Sequence, residues 1–215
     1  DKNHDLYVWG ENYGGALGLG ITDTSYVIST PTKVNIEGVK FKDVSVASYY
    51  STLALDEDGN VWYAGDRYYS GIEYNTVSNM NNSDTYHFIC LNNLQNNPLN
   101  GVKIEKIYAG YYTNYLIDSL GRLWTFGNNG ALGYTSSNNS NYSPKCISLY
   151  SGNDIYNAYL NGIKIVDVSY NYAIDEEGNL YILGSNATSL TKSGGQFAGK
   201  KFKKVVGNRW NNSSM

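Results

Sequence analysis

The residue types that most often carry out catalysis are few in this chain, and they are scattered. There are two histidines, His4 and His87, and two cysteines, Cys90 and Cys146. A nucleophile needs a base within reach, and a zinc site needs three or four protein ligands. The sequence patterns H-E-x-x-H, C-x-x-C and G-x-S-x-G and the Walker loop do not occur. The sequence therefore predicts a protein that is not an enzyme and uses no cofactor.

Two other patterns resemble ligand sites only superficially. The stretch GALGLG at 15–20 follows a strand-like segment but opens no helix, so we do not expect it to bind phosphate. The acidic residues Asp56, Asp58, Asp175 and Glu177 lie in tight turns, but a calcium loop needs more oxygen ligands at fixed spacing. We expect these four to be exposed turn residues, and we predict no metal site.

The charge of the chain argues against nucleic acid as a partner. The net charge is −3 and the pI is about 5.3, whereas a phosphate-binding surface needs clustered cations. The basic run of Lys200, Lys201, Lys203 and Lys204 is interpreted as a solvated strand edge. No run of 18 apolar residues is present, so no membrane span is predicted, and no signal peptide is visible.

An eight-residue motif, called the octet below, occurs four times. Its fourth and seventh residues are apolar in every copy, and glycines and polar residues flank it. The copies are too short for helices, so we interpret each as a strand with an irregular end. The copies are GVKFKDVS at 38–45, GVKIEKIY at 101–108, GIKIVDVS at 162–169 and GKKFKKVV at 199–206.

A second motif is an apolar strand that ends in glycine, and it also occurs four times. The terminal glycines are 55, 62 and 57 residues apart, and an Asp-x-x-Gly turn precedes three of the strands. Such a turn between two short apolar runs is typical of a β-hairpin, because glycine supplies the positive φ. The strands are LYVWG at 6–10, VWYAG at 61–65, LWTFG at 123–127 and LYILG at 180–184.

A period of 50 to 60 residues with about four strands in each copy is typical of a propeller blade. We therefore predict an all-β fold, a single partial β-propeller over 1–215 with about three and a half blades of four-stranded antiparallel sheets. Because blades bury their apolar faces against one another, we expect Trp9, Trp62 and Trp124 in the interfaces. The approximate repeats are 6–60, 61–122, 123–179 and 180–215.

These motifs resemble repeats of the regulator of chromosome condensation family. LYVWGENYGGALGLG at 6–20 and STPTKV at 29–34, followed by FKDVSVAS and STLALDEDGNVW, are similar to one whole repeat. FGNNGALG at 126–133 and SPKCI at 143–147 repeat its first part. The resemblance implies a seven-bladed propeller and roles in protein binding, including nucleotide exchange on a small GTPase. It is strongest for bacterial members of the family.

Some positions depart from the family pattern. The histidine that the family often places before its Ala-Leu strand is Ser51 in one copy and Thr113 in another. In the second copy the Gly-rich loop becomes GDRYYSGIEYN and continues into a polar insertion that ends near Asn100. Nothing matches the wedge of the exchange factor, so nucleotide exchange is not carried over.

Three and a half blades do not close a seven-bladed ring. We favour a fragment of a larger propeller; an arc capped by another domain and a ring completed by a second copy are the alternatives. Cys90 and Cys146 occupy equivalent positions of successive repeats, about one blade apart and too far for a disulfide. We therefore predict two free, packed thiols.

Aromatic residues follow each octet, in the turn before the next strand. Equivalent turns of a propeller lie on one face, and Tyr, Trp and Arg are enriched in binding hot spots. Bacterial propellers similar to this family, which inhibit β-lactamases, bind their target through such a face. The alternative is that one tyrosine of each pair packs between blades while the other is merely exposed. The candidate partner-binding residues are Tyr49, Tyr50, Tyr111, Tyr112, Tyr170, Arg209 and Trp210.

We therefore predict a noncatalytic module that binds a protein partner, within a larger secreted or cell-surface bacterial protein. A carbohydrate-binding module is one alternative, because exposed Tyr and Trp also stack on sugars. A purely structural domain of a multidomain protein or toxin is another. An enzyme with a site on the propeller axis is the third, but the sequence shows no nucleophile and base for it.

Overall fold

The computed structural model describes residues 1–23, 25–47, 51–72, 85–110, 112–128, 131–134, 140–191 and 197–207. Within these residues the chain forms fourteen strands, one α-helix, α1 (Asp154–Leu160), and four 3-10 helices. The strands are β1 (Tyr7–Glu11), β2 (Val27–Lys33), β3 (Phe41–Val46), β4 (Ser51–Asp56), β5 (Val61–Gly65), β6 (Ile89–Cys90), β7 (Ile104–Ala109), β8 (Thr113–Asp118), β9 (Leu123–Asn128), β10 (Ser140–Cys146), β11 (Ile165–Ser169), β12 (Tyr172–Asp175), β13 (Leu180–Leu183) and β14 (Ala187–Ser189).

The strands form four antiparallel sheets in which each strand pairs with the next one along the chain. The first sheet contains β1 and β2; the second, third and fourth contain β3–β6, β7–β10 and β11–β14. This confirms the all-β prediction with four-stranded blades. Each complete sheet begins with an octet, so the two-stranded sheet is the first one in the chain rather than the last.

Apolar side chains between neighbouring sheets form three core clusters. Leu53 and Tyr63 of the second sheet pack with Leu116 and Phe126 of the third sheet, and all four are fully buried. The same arrangement joins the first sheet to the second and the third to the fourth. The sheets therefore stack side by side, and this burial is the main stabilising contribution.

Three of the four octets form the inner strands β3, β7 and β11, as predicted. The fourth octet, at 199–206, is not a strand, so that prediction was wrong. A strand needs a ladder partner, and no described strand pairs with this octet. Its lysines are solvent-exposed, as expected, but they do not lie on a strand edge.

Each later octet is attached to the hairpin turn of the preceding sheet. The amide of Ile104 donates to the carbonyl of Gly59 at 2.9 Å, and Ile165 donates to Gly121 at the same distance. Phe202 of the fourth octet donates to the carbonyl of Gly178 at 2.9 Å, although it is not in a strand. The Asp-x-x-Gly turn thus closes one hairpin and also positions the next repeat.

The aspartates that open these turns are buried, which corrects the expectation for Asp56 and Asp175. Their exposed fractions are 5% and 1%, whereas Asp58 and Glu177 are exposed as expected. Asp56 Oδ2 accepts the indole N–H of Trp62 at 2.9 Å. Such a carboxylate satisfies several buried donors of its own hairpin at once, which offsets the cost of burying its charge.

Two of the three tryptophans lie in interfaces as predicted, and the third does not. Trp124 is buried and Trp62 packs against the cluster between the first and second sheets. Trp9 is 59% exposed, so the prediction for it was wrong. Trp9 aligns with Ala64 and Phe126 rather than with the other tryptophans, and no sheet covers this face of β1 among the described residues.

Candidate partner-binding face

The turns that join inner strands to their neighbours lie at one end of the stacked sheets; this end is called the turn face. Hydrogen bonds there tie the inner strands β3 and β11 to the residue that directly follows the next octet. The amide of Ala109 donates to Ser45 Oγ at 2.8 Å, and that of Gly207 donates to Ser169 Oγ at 2.9 Å. Equivalent turns of neighbouring sheets are therefore held side by side.

Tyr112 lies on the turn face immediately before β8. Its ring is half-buried and stacks on Tyr69 with centroids 5.5 Å apart and an interplanar angle of 30°. The turn is closed by the amide of Gly110, which donates to the carbonyl of Thr113 at 3.0 Å. Tyr112 thus joins the turn of the third sheet to the loop that follows β5.

Tyr170 occupies the equivalent turn of the fourth sheet, between β11 and β12. Its φ is +55°, in the left-handed region that non-glycine residues seldom adopt. The side chain is half-buried, and Gly207 lies so close that an added Cβ there would sit 2.4 Å from Tyr170 Cβ. Gly207, which directly follows the fourth octet, therefore packs on this tyrosine.

The other five predicted site residues lie outside the described residues. They are Tyr49, Tyr50, Tyr111, Arg209 and Trp210. The structure places Tyr112 and Tyr170 in equivalent turns, and the full seven-residue cluster stays a prediction.

Two tyrosines of the same face were missed in the sequence. Tyr13 and Tyr68 lie in 3-10 turns three residues after Gly10 and Gly65, and they are 48% and 55% exposed. Because Gly65 pairs with Ser51, β5 ends where β4 begins, so this loop lies on the turn face. Each tyrosine lies three residues after the glycine that ends its strand motif, and this shared spacing was the sequence signal for both.

The loop that carries Tyr68 is anchored on both sides. Asp66 Oδ1 accepts the amide of Tyr68 at 2.9 Å, and the carbonyl of Tyr69 accepts the buried side-chain amide of Asn114 at 2.8 Å. The aromatic rings are thus presented on a fixed backbone, which lowers the ordering cost of binding.

Side chains that could bind a metal ion are not clustered in the described part of the chain. It contains no group of three or more His, Cys, Asp or Glu side chains that could hold a metal ion. Cys90 and Cys146 are free and buried, which confirms the prediction for both, and burial raises the pKa of the Cys146 thiol to about 12. The described helix is too short to span a membrane.

Stacked four-stranded antiparallel sheets with inner strands tied in series define a β-propeller repeat protein. Residues 3–54 match the family model "Regulator of chromosome condensation (RCC1) repeat", so this part of the chain is similar to that family's repeat. The recognition made from the motifs is thereby confirmed.

The similar proteins are considerably longer than this chain. The chain is 28% identical over 144 residues to the Arabidopsis thaliana RCC1 domain-containing protein RUG3, mitochondrial, covering 64% of this chain and 30% of the relative. Human WBSCR16 matches 85% of the chain with a TM-score of 0.62 and 19% identity, over 43% of its own length.

Two yeast structures share the fold to the same degree. The structure of Kap60 bound to yeast RCC1 (Prp20) matches 84% of this chain and 40% of its own, with a TM-score of 0.64 and 22% identity. Saccharomyces cerevisiae Prp20p matches 84% of this chain and 41% of its own, with a TM-score of 0.63 and 21% identity. The chain thus spans about two fifths of each of these solved structures.

Proposed function

We propose that this chain is a noncatalytic protein-binding module and that the turn face is its binding surface. The observation that carries the proposal is the tyrosine set on that face. Tyr13, Tyr68, Tyr112 and Tyr170 come from four different sheets or loops, and each is at least partly exposed. Their positions in equivalent turns and loops support a common binding surface at one end of the stack.

Tyrosine suits such a surface on physical grounds. One ring can bury roughly 150 to 250 Å² with few rotatable bonds, and its hydroxyl can bond at the edge of an interface. Truncating a central tyrosine of an interface often costs about 2 kcal/mol or more. A few tyrosines on a rigid backbone therefore supply the core of a specific interface.

The comparisons support a protein as the partner class. The yeast structures are described as RCC1 bound to Kap60 and as Prp20p with binding properties to Gsp1p and histones. Those partners belong to the yeast proteins, and no exchange activity is proposed for this chain. They do show that a propeller of this kind can serve as a protein-binding scaffold.

Site-specific photo-crosslinking tests the proposal. A benzoylphenylalanine placed at Tyr68 should crosslink one discrete protein in an extract of the source cells, because the residue is 55% exposed at the centre of the loop. The same group at Leu120, which is 54% exposed in a hairpin turn at the opposite end, should not capture it.

The purified partner then allows a quantitative test. Tyr68→Ala with Tyr112→Ala should weaken binding at least 100-fold, since about 1.4 kcal/mol corresponds to a tenfold change. Tyr112→Phe keeps the stack on Tyr69 and should retain affinity. Equal crosslinking at Leu120, or unchanged affinity of the double variant, would remove the case for the turn face.

A glycan array run in parallel addresses the sugar alternative. Binding to a defined glycan that is lost in Tyr112→Ala, with no crosslinked protein at Tyr68, would replace the proposal by a carbohydrate-binding module. If the unmodified chain and Tyr112→Ala both give only background signal on the array, protein stays the proposed partner class.

We also propose that the module works at the cell surface or outside a bacterial cell. The support is its composition: only 16% of residues are charged, and Tyr, Asn, Ser and Gly supply the polarity. Fractionation of the source cells with an antibody to this chain tests the location. Signal confined to the cytoplasmic fraction would overturn it.

A further inference from the structure

One five-residue segment occurs twice in almost the same form. LNGVK at 99–103 and LNGIK at 160–164 each lead into an octet. An Asn-Gly pair is chemically labile, because glycine has no side chain to shield its amide nitrogen from the side-chain carbonyl carbon of the asparagine. Since the flanking residues match, a difference in reactivity between the two copies must come from the fold. A third Asn-Gly pair, at 129–130, lies outside the described residues.

In the first copy, Asn100 and Gly101 are the two central residues of a turn. The amide of Val102 closes the turn by donating to the carbonyl of Leu99 at 2.9 Å. Both central residues are exposed, and a Cβ added at Gly101 would meet no atom within 4 Å. Within the described part of the chain, the amide of Gly101 donates no hydrogen bond. Its nitrogen is therefore accessible to water and can lose its proton without breaking a hydrogen bond to the protein.

In the second copy, the Asn-Gly pair ends helix α1, and its backbone is held by hydrogen bonds. The amide of Asn161 donates to the carbonyl of Ala158 at 3.0 Å. The amide of Gly162 donates to the carbonyl of Tyr159 at 2.9 Å, and that of Ile163 donates to Ala158 at 3.1 Å. The nitrogen that would react is the middle one of three bonded amides, so the end of the helix must open before it can attack.

The two asparagine side chains differ in the same direction. Asn161 Nδ2 donates to the carbonyl of Asn157 at 2.7 Å, whereas Asn100 Nδ2 donates to the carbonyl of Leu94 at 3.1 Å. The side chain must turn toward the following amide before the reaction, and the longer hydrogen bond is the weaker restraint. The first copy is therefore less restrained at both of the groups that react.

The turn that contains Asn100 is joined to the second sheet by one buried side chain. Asn92 is 5% exposed, and its Nδ2 donates to the carbonyls of Leu99 at 3.1 Å and Val102 at 2.8 Å. Its Oδ1 accepts the amide of Val61, at the start of β5, at 2.8 Å. Both ends of the turn thus bond to the same amide group, which is sensitive to the length of main chain between them.

We propose that Asn100 is a site of spontaneous deamidation and that its isoaspartyl product weakens the attachment of this turn to the second sheet. Hydroxide removes the amide proton of Gly101, and the nitrogen bonds to Cγ of Asn100. The Cγ–Nδ2 bond breaks, and ammonia leaves after taking a proton from water, which regenerates hydroxide. Water then opens the succinimide ring at either carbonyl carbon and gives aspartate or isoaspartate.

The isoaspartyl product changes the backbone as well as the charge. Its main chain passes through the β-carbon, so one CH₂ group is added between the two carbonyls that Asn92 holds. A hydrogen bond is lost when its partners move apart, and Asn92 is then left with a buried, unsatisfied donor. The reaction needs only water, does not involve the turn face and goes beyond the proposed function.

Incubation of the folded chain at mildly alkaline pH, followed by tryptic peptide mass spectrometry, tests the site. The peptides that end at Lys103, Lys145 and Lys164 each contain one Asn-Gly pair, so the three sites are measured separately. Asn100 should convert about tenfold faster than Asn161, a factor that corresponds to about 1.4 kcal/mol for opening the bonded helix end. In urea the two should convert at equal rates, because their flanking residues match.

Two controls identify the route of the reaction. Hydroxylamine should trap the succinimide at Asn100, and the products should include isoaspartate, which direct hydrolysis of the side chain does not give. Asn100→Gln should stop conversion at this site, since the corresponding six-membered ring forms much more slowly. Equal rates at Asn100 and Asn161 in the folded chain, a difference that persists in urea, or products without isoaspartate would overturn the proposal.

Urea denaturation tests the effect on the turn. The purified isoaspartyl form should unfold at a lower urea concentration than Asn100→Asp, which carries the same carboxyl group on a main chain of normal length. In an Asn92→Ala background, where the bridge is already absent, the isoaspartyl form should add little further loss. Coincident unfolding curves for the isoaspartyl form and Asn100→Asp, or the same additional loss with and without Asn92, would overturn the proposed weakening.

Discussion

The first and third sheets carry the same strand motif in different surroundings. In the third sheet LWTFG lies between two partner strands and between two neighbouring sheets, and Trp124 and Phe126 are 6% and 0% exposed. In the first sheet LYVWG has one partner strand and one neighbouring sheet within the described part of the chain, and the aligned Tyr7 and Trp9 are 38% and 59% exposed. The motif determines the strand, whereas the neighbouring sheet determines which of its side chains are buried.

The carboxylates near the two strands differ in the same way. Asp118 is 1% exposed and accepts from Arg122 and from the indole of Trp124. Asp5 is half-buried and pairs with the exposed Lys33 and Lys40, both at 2.7 Å. A buried carboxylate that satisfies several donors is hard to replace, whereas a surface ion pair is largely exchangeable with water.

The largest difference is expected between alanine substitutions of the two tryptophans. Trp124→Ala should lower the free energy of unfolding by roughly 3 to 5 kcal/mol, because it empties a packed interface. Trp9→Ala should change it by less than about 0.5 kcal/mol, as for an exposed side chain. Urea denaturation followed by circular dichroism measures both, and equal losses would contradict the comparison.

Removing the buried carboxylate should have the next largest effect. Asp118→Ala leaves the amides of Leu120 and Arg122 and the indole of Trp124 without their acceptor. The free energy of unfolding should fall by roughly 2 to 3 kcal/mol. Asp118→Asn keeps an acceptor oxygen and serves as the control with a smaller loss. If urea denaturation shows that Asp118→Asn is less stable than Asp118→Ala, the lost hydrogen bonds are not the cause of the destabilisation.

The smallest effect is expected at the surface carboxylate of the first sheet. Hydrogen bonds from Lys33 and Lys40 lower the pKa of Asp5 from 3.8 to about 2. Because the folded pKa lies below the unfolded one, this contribution to stability is complete above about pH 4 and is lost as the pH falls through 2. Carbon-13 NMR titration of the carboxyl group should give the low pKa, and Lys33→Met should raise it. An unchanged pKa in Lys33→Met would show that the ion pair does not form in solution.

The fold was largely predictable because it is repeated. The Asp-x-x-Gly turns and the first three octets are short local signals, and several copies in register made the sheets recognisable. Helix α1 was not predicted: its seven residues lie where the other repeats have only a loop, so no internal comparison existed. The local sequence signal for this helix was Asn153, because asparagine is favoured at the N-terminal cap of a helix. Its side chain accepts the amide of Tyr156 at 2.8 Å.

The errors in the candidate site have a different origin. Trp9 was grouped with Trp62 by residue type, although it aligns with Ala64, and exposure depends on a neighbouring sheet that one strand cannot reveal. Asp56 was assumed to be exposed because turn residues usually are, but its carboxylate accepts from Asn60 in the turn and from Trp62 on the strand that follows. Tyr13 and Tyr68 were overlooked because only the turns after the octets were compared.

The carbonyls of Gly59, Gly121 and Gly178 each receive an amide from the octet that follows in the chain. Every turn is complete before the residues that dock on it have been synthesised. During synthesis each turn is therefore available before the octet that docks on it emerges from the ribosome. We expect the repeats to fold one after another from the N-terminus, each stabilised by contacts with the repeat before it. Removing or adding a whole repeat would then leave the hydrogen bonds between each remaining turn and the octet after it unchanged.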